Sequence, residues 1–324
     1  GLFNFDRITS VAPQTISATL NAELEPGDTL EGSIDGGTTW TTITDKVTGK
    51  EITWDGVSIL GRNRIIFRVT DLAGNSGSTA RGGRYVLDQT APTFTVSAVN
   101  LSADTGSSSS DLITNVASQT ISATLSKTLM PGEFLLGSVD GGVTWTNLTR
   151  KTSLKSIRWT GASLVGSSTI VFQGLDLAGN AGALTGSSAY SLDVTPPSLG
   201  VSGIQLSADT GTSGTDRITN TAAQTISASL SSALSSGDIL YGSVDGGQSW
   251  SDITLMALGT AIQWTGATLS GSNNIVFQVT DLAGNTGAQT GTSAYVLDTT
   301  APTLTVSGVG LSNDTGSSNS DLIT

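Results

Sequence analysis

The sequence repeats itself with an interval of 105 residues. Trp40, Trp145 and Trp250 share this spacing, and the phrase SADTGSSSSDLITN at 102–115 returns as SADTGTSGTDRITN at 207–220. A period of this length is too long for one turn of a solenoid and matches one small globular domain. The sequence therefore predicts three similar domains in tandem.

Composition limits the chemistry available to these domains. The 324 residues include no Cys and no His, which excludes disulfides, Cys or His zinc sites, and Ser-His or Cys-His catalytic pairs. The formal net charge is −12, and because binding to phosphate requires clustered Lys and Arg, we expect no nucleic-acid partner. No run of 18 apolar residues occurs, so we expect no direct membrane insertion. The N-terminal GLFNFDRITS lacks the pattern of a signal peptide, so export would be directed from elsewhere.

Alternation of apolar and polar residues predicts about seven or eight short strands in each repeat. In residues 91–195 the predicted strands are APTFTVSAV, SQTISATL, EFLLGSV, VTWTNLT, SIRWTGA, STIVFQGLD and SAYSLDV. The DGG between the third and fourth strands is typical of a hairpin turn, which needs glycine at positive φ. No segment has the spacing of an amphipathic helix over three turns. The predicted fold class is all-β, with tandem immunoglobulin-like β-sandwiches arranged end to end.

Each repeat carries two Trp, which are Trp145 and Trp159 in the second repeat. Both alternate with apolar neighbours, which favours positions in the core or on the sheets over carbohydrate-stacking platforms. A carbohydrate-binding face is the alternative that these aromatic residues leave open.

The Ser-rich phrase at 102–115 carries two of the recurring Asp residues. In a sandwich with alternating strand directions, the loop after the first strand lies at the same end as the last residue of the final strand. End-to-end stacking would therefore bring Asp104, Asp111 and Asp193 against Asp281 of the following repeat. Residues 211–315 contain seven acidic residues but only one basic residue, Arg217, so salt bridges cannot neutralise these carboxylates.

Carboxylates gathered without Lys or Arg favour a hard cation. Calcium accepts six to eight oxygens from carboxylates, amides and carbonyls, and Gly106 with the serines would let the loop curl round it. Asn115 and Asn285 are candidate further ligands. The alternative is that DTG, DLAGN and DTTAP are only turns, since Asp, Asn and Gly favour turns in any case.

The phrases DTGSSSSDLITN, VTDLAGNTG and YVLDTTAPT resemble the loops and linkers of bacterial Ig-like repeats in giant biofilm-associated, type I secreted (RTX-type) surface adhesins. The resemblance covers all three repeats. It implies extracellular sandwiches whose junctions bind calcium and stiffen into a rod. The glycine-rich nonapeptide calcium repeats of such adhesins are not present in this sequence.

The implied calcium ligands are Asp residues that recur with the repeat. They are Asp104, Asp111, Asp193 and Asp281 at one junction, Asp6, Asp88 and Asp176 at the junction before it, and Asp209, Asp216 and Asp298 in the third repeat. In the first repeat GLFNFD replaces the Ser-rich phrase, so the equivalent of Asp104 is absent.

The predicted domains are repeat 1 (residues 1–90, without its first strand), repeat 2 (91–195), repeat 3 (196–300) and the first strand and loop of a further repeat (301–324). The ends indicate either an excerpt of a longer array or a strand that completes the start of another molecule. Neighbouring repeats, and possibly identical chains in a filament, are the predicted partners. We expect a non-enzymatic, extracellular structural spacer, with a donor-strand filament or a carbohydrate-binding module as alternatives; an enzyme would seldom carry three copies of one site.

Overall fold

The computed structural model describes residues 6–77, 80–313 and 317–318. The chain forms two compact units, Gly1–Val194 and Thr195–Thr324. The first unit contains two separate hydrophobic cores, one in repeat 1 and one in repeat 2, and the second unit contains one core in repeat 3. None of the helices in the described residues has the length and apolar character that crossing a membrane requires.

Repeat 2 shows the common topology. Its strands are β9 (Val96–Leu101), β10 (Ile113–Thr114), β11 (Ser118–Leu125), β12 (Glu133–Ser138), β13 (Thr146–Asn147), β14 (Thr152–Ser153), β15 (Ser156–Ser163), β16 (Ser167–Asp176) and β17 (Thr185–Leu192), with a 3-10 helix at Thr149–Lys151; β1–β8 belong to repeat 1. One sheet has the order β10-β17-β16-β12-β13, and the other has the order β14-β15-β11-β9. The short β10 runs parallel to β17, whereas every other pairing in this repeat is antiparallel.

Repeats 1 and 3 reproduce this plan. Repeat 1 consists of β1 (Ile8–Thr9), β2 (Pro13–Thr19), β3 (Thr29–Ser33), β4 (Thr41–Thr42), β5 (Val47–Thr48), β6 (Glu51–Ser58), β7 (Arg62–Thr70) and β8 (Ala80–Leu87), with a 3-10 helix at Thr44–Lys46. Repeat 3 consists of β18 (Val201–Leu206), β19 (Ile218–Thr219), β20 (Ala223–Leu230), β21 (Ile239–Ser243), β22 (Ser251–Asp252), β23 (Ala257–Leu258), β24 (Ala261–Thr268), β25 (Ser272–Thr280) and β26 (Thr290–Leu297), with a 3-10 helix at Thr254–Met256.

A tryptophan fills the centre of each core. In repeat 3, Trp264 from β24 meets Phe277 from β25 edge-to-face, with ring centroids 6.1 Å apart. A Cβ built on Gly242 of β21 would lie 2.7 Å from the Trp264 ring, so glycine is required for this close approach. The same pairing of Trp with Phe occurs in repeats 1 and 2.

The fold-class prediction of tandem Ig-like sandwiches is confirmed, and the two Trp of each repeat differ in their surroundings. Trp159 is buried in the core as predicted, whereas Trp145 is only half-buried and lies just before β13. The DGG segments are turns. Asp35 accepts hydrogen bonds from the hydroxyl and the amide of Thr39 and from the amide of Thr38, and these bonds lower the pKa of Asp35 to about 2.

The edge of the β2 sheet in repeat 1 differs from the equivalent edge in the other repeats. In repeat 2 that edge is β9, which pairs with β11; among the described residues of repeat 1, no strand pairs with the equivalent edge of β2. Beyond β26, the described residues up to 313 form no strand, and Leu304 and Val306 are exposed. The assignment of 301–324 to a further repeat, and donor-strand exchange between copies, stay predictions.

Replacing Gly242 with Ala should destabilise repeat 3 by about 1–3 kcal/mol, because the added methyl group overpacks the core against Trp264. The loss in the free energy of unfolding is measured by urea titration, in which pulse-labelling hydrogen exchange of the β24 amides monitors the unfolding of repeat 3. Gly214→Ala is the matched control, since nothing lies within 4 Å of a Cβ at that position. Equal stability of the two variants would show that the Trp264 packing tolerates the methyl group.

Candidate functional site

The Ser-rich loop of repeat 2 closes through its second Asp. Asp111 accepts a hydrogen bond from the amide of Ile113 at 3.0 Å, which forms a turn that begins β10. Leu112 between them has a φ of 62°, a left-handed conformation that is uncommon for a residue other than glycine. The loop is therefore a defined structure, and Asp111 has a local role in it.

Asp104 lies inside this loop and is only partly satisfied. Its Oδ2 accepts the amide of Leu112 at 3.1 Å, whereas its Oδ1 is buried and has no hydrogen-bond partner. Burial raises the pKa of Asp104, the bond from Leu112 opposes the rise, and the negative charge of Asp111 adds to it. A buried carboxylate oxygen without a partner is costly, and a cation or a proton would relieve it.

Repeat 3 contains the same arrangement at equivalent positions. Asp209 accepts the amide of Arg217 at 2.9 Å through Oδ2, and its Oδ1 is again buried without a partner. A Cβ built on Gly211 would lie 3.7 Å from Asp216 Oδ1 and 3.2 Å from the carbonyl oxygen of Ile218. Glycine thus lets the loop backbone pass close to a carboxylate and a carbonyl, both of which are oxygen ligands that calcium prefers.

A second candidate site is the contact between repeats 1 and 2 within the first unit. In the DLAGN turn after β16, both carboxylate oxygens of Asp176 accept hydrogen bonds from Asn180. The Asn180 side chain also donates to the main-chain carbonyl of Asp88, at the end of repeat 1, at 2.8 Å. Asp88 and Asp176 line one groove at this contact.

The equivalent turn of repeat 1 shows what this contact changes. Asp71 and Asn75 form the same two hydrogen bonds, at 2.8 and 2.9 Å, but both residues are exposed. In repeat 2, Asp176 is only 7% exposed. The turn thus folds by its own hydrogen bonds, and in repeat 2 it is also buried against the end of the preceding domain.

The structure brings some of the predicted ligands together and gives others local roles. Asp104 with Asp111, and Asp209 with Asp216, share a loop, while Asp88 shares a groove with Asp176. Each of the remaining residues takes part in a local or neighbouring-strand hydrogen bond: Asp6 with Ile8, Asp193 with Thr114, Asp281 with Asn285, and Asp298 with Thr219 and Thr300.

No three acidic side chains of the described residues form a group that could hold a metal ion. A cation at either loop would therefore take hydroxyl, amide or carbonyl oxygens as its other ligands, as calcium commonly does. The calcium sites stay a prediction.

Sequence reasoning missed two residues that fix the loop and the core. Gln119 holds the loop by donating to the Ala103 carbonyl at 2.9 Å and accepting the Ala103 amide at 3.0 Å. Tyr190 donates from its hydroxyl to the Val139 carbonyl at 3.0 Å. The signal available for both was their recurrence in register, as Gln14 and Gln224 and as Tyr85 and Tyr295.

Residues 196–299, the third repeat, match the family model described as a bacterial Ig-like domain. No curated protein matches the chain.

Three solved structures resemble the chain at low similarity. The FN1–FN3 domains of chicken CNTN1 have 11% identity and a TM-score of 0.32, covering 88% of this chain and 98% of that one. Sidekick-1 immunoglobulin domains 1–4 have 12% identity and a TM-score of 0.24, covering 93% and 75%. Dimeric latent PorU from Porphyromonas gingivalis has 9% identity and a TM-score of 0.22, covering 87% and 30%. None of these TM-scores is high enough to support a statement about function.

Asp104→Asn should raise the melting temperature of the first unit at pH 7 in the presence of a chelator. The folded state holds the Asp104 proton more tightly than the unfolded state does, so the stability from this group is present below about pH 4 and is lost as the pH rises through the raised pKa. Scanning calorimetry from pH 7 down to about pH 3 measures the difference in melting temperature between the variant and the wild type, which should close toward pH 4.

Asp140→Asn is the matched control, because hydrogen bonds from Ser138 and Thr144 lower the pKa of Asp140. This variant should be less stable than wild type at pH 7, and its gap should shrink below about pH 4 as the wild-type carboxylate becomes protonated. A lower melting temperature for Asp104→Asn at pH 7 would contradict the account of the buried oxygen.

Asn180→Ala should loosen the contact between repeats 1 and 2, because it removes the hydrogen bond to the Asp88 carbonyl. Asn75→Ala removes the equivalent side-chain bond to Asp71 in repeat 1 and serves as the control. In hydrogen exchange followed by mass spectrometry, opening around residues 86–93 should become easier by about 1 kcal/mol in Asn180→Ala only. Equal exchange in both variants would mean that the contact contributes no stability.

Proposed function

We propose that this protein is a non-enzymatic, extracellular structural spacer of a bacterial surface adhesin or biofilm protein. The observation that carries the proposal is the partly buried contact in which the DLAGN turn of repeat 2 bonds to the last residues of repeat 1 through Asn180 and Asp88. A sandwich whose turn is built to receive the preceding sandwich suits a tandem array that holds its domains in a set order. The bacterial Ig-like match of the third repeat supports a structural module of this kind.

Calcium is the proposed stiffening ion. Asp104 with Asp111 would hold it in repeat 2, and Asp209 with Asp216 in repeat 3, because each pair includes a buried carboxylate oxygen that lacks a partner. When bound, the ion would supply positive charge to a loop that contains no basic side chain in repeat 2. Ordering of these loops and of the adjacent strand ends would make the array more rigid.

The adhesin setting rests on the resemblance of the loop and linker phrases to giant surface adhesins, together with the bacterial Ig-like match. In that setting the repeats would hold an adhesive domain away from the cell, and the chain would act through length and stiffness.

Small-angle X-ray scattering, with calcium and then with a chelator, tests the proposal. The account predicts an extended particle in calcium that becomes shorter or more heterogeneous when calcium is removed. The chain carrying Asp104→Asn and Asp209→Asn should show the chelated behaviour in both buffers.

An identical scattering profile in both buffers for the wild type would contradict calcium stiffening. A compact particle in both buffers would contradict the spacer itself, so the two parts of the proposal can fail separately.

A further inference from the structure

Repeat 1 carries a basic surface on the outward face of its five-stranded sheet. Arg62 and Arg64 on β7 and Arg84 on β8 line one shallow depression of about 500 Å³, together with Asn63 and Ile66. Arg64 and Arg84 are paired directly across the two strands. We call this surface, defined by Arg62, Arg64, Ile66 and Arg84, the arginine face.

Carboxylates lie near one of the three arginines, because Arg62 also borders the groove lined by Asp88 and Asp176. Within the part of the chain that the structure describes, Arg62, Arg64 and Arg84 form no ion pair. Arg68, further along β7, differs because it bonds Glu31 at 2.6 Å. Like charges placed opposite each other on neighbouring strands are destabilising, so the pair of Arg64 and Arg84 costs the fold some stability.

The two sister repeats show that the fold does not need these arginines. The cross-strand pair equivalent to Arg64 and Arg84 is Thr169 with Ala189 in repeat 2 and Asn274 with Ala294 in repeat 3. The positions equivalent to Arg62 are Ser167 and Ser272. A feature that lowers stability and is absent from two copies of the same topology is a candidate for a binding role.

An apolar surface lies next to the charges. A Cβ built on Gly37 would lie 3.5 Å from the Trp40 ring and 3.9 Å from Ile66, so both side chains border the same hairpin. Trp40 is only half-buried, and the Arg68 guanidinium lies 4.1 Å from its ring centroid. The face thus offers Arg forks for planar or tetrahedral anions beside the apolar side chain of Ile66.

We propose that the arginine face binds an acidic polysaccharide, with Arg62, Arg64 and Arg84 holding its carboxylate or sulfate groups. A duplex nucleic acid is disfavoured because it requires a longer stripe of Lys and Arg than these three residues provide. The depression is open and shallow, which fits a polymer lying across the strands better than an enclosed small anion. This binding does not depend on the calcium sites, because none of the three arginines lies in those loops.

The test compares the full wild-type chain with the chain carrying Arg62→Ser, Arg64→Thr and Arg84→Ala, the residues that repeat 2 has at these positions. Binding to heparin, polygalacturonate and neutral dextran is measured by biolayer interferometry in chelator, so that calcium cannot bridge polymer and protein. An unchanged or higher melting temperature confirms that the variant is folded.

The control removes three positive charges from repeat 2 instead. Arg150→Leu, Lys155→Thr and Arg158→Gln introduce the residues that repeat 3 has at the equivalent positions. Net charge changes equally in the two variants, so any difference in binding belongs to the arginine face.

The proposal predicts that the wild type binds at least one of the two acidic polymers but not dextran, and that binding weakens with salt. The arginine-face variant should bind about tenfold more weakly or worse, because charge-assisted hydrogen bonds are lost, and the control should bind like the wild type.

Equal loss of binding in both variants, or no binding by the wild type, would overturn the proposal. Stronger binding to duplex DNA or to phosphatidylglycerol vesicles would overturn the partner class, as would equal competition by inorganic sulfate at matched ionic strength.

Discussion

A carboxylate oxygen that leaves water needs a hydrogen bond, a proton or a cation, and this requirement distinguishes the Asp-bearing loops of repeats 2 and 3 from one another. Asp140 meets it with hydroxyl and amide donors of its own hairpin, and Asp176 meets it with Asn180. Asp104 and Asp209 do not meet it, because one oxygen of each is buried without a partner. The proposed calcium sites follow from this difference between Asp residues that are otherwise alike in sequence.

The same short phrase serves two purposes in successive repeats. DLAGN closes a turn through Asp71 and Asn75 in repeat 1 and through Asp176 and Asn180 in repeat 2. In repeat 2, the Asn180 side chain also donates to the main-chain carbonyl of Asp88 at the end of the preceding domain. A turn that is stable by itself can act as a docking surface without folding on contact, which suits an array in which each domain folds as a unit.

The period and the strand alternation predicted the fold, since a buried strand face needs apolar residues at every second position, as in SIRWTGA around Trp159. The loops were harder to predict. From the sequence, the carboxylates of Asp104, Asp176 and Asp281 are equally good candidate ligands. The sequence does not reveal which of these carboxylates is already hydrogen-bonded by a neighbouring amide in the folded protein. The role of Gln119 was not predicted, because no sequence pattern indicates that a glutamine in a strand will bond a distant loop.

The arginine face was not predicted from the sequence for a different reason. Charge summed over the chain or over a repeat hides a local cluster, and repeat 1 is acidic overall although RNR at 62–64 and Arg84 lie together. Strand pairing, which sequence alone did not give in register, places Arg64 opposite Arg84. Comparison with the equivalent Thr, Asn and Ala residues of the sister repeats then separates this feature from the needs of the fold.

Isothermal titration of calcium into the wild-type chain, and into the chain with Asp104→Asn and Asp209→Asn, tests the central claim most directly. The account predicts that the wild type binds two more calcium ions per chain than the variant, because each substitution removes the charge of one buried carboxylate. Equal calcium binding by the two chains, or no binding by the wild type, would contradict it.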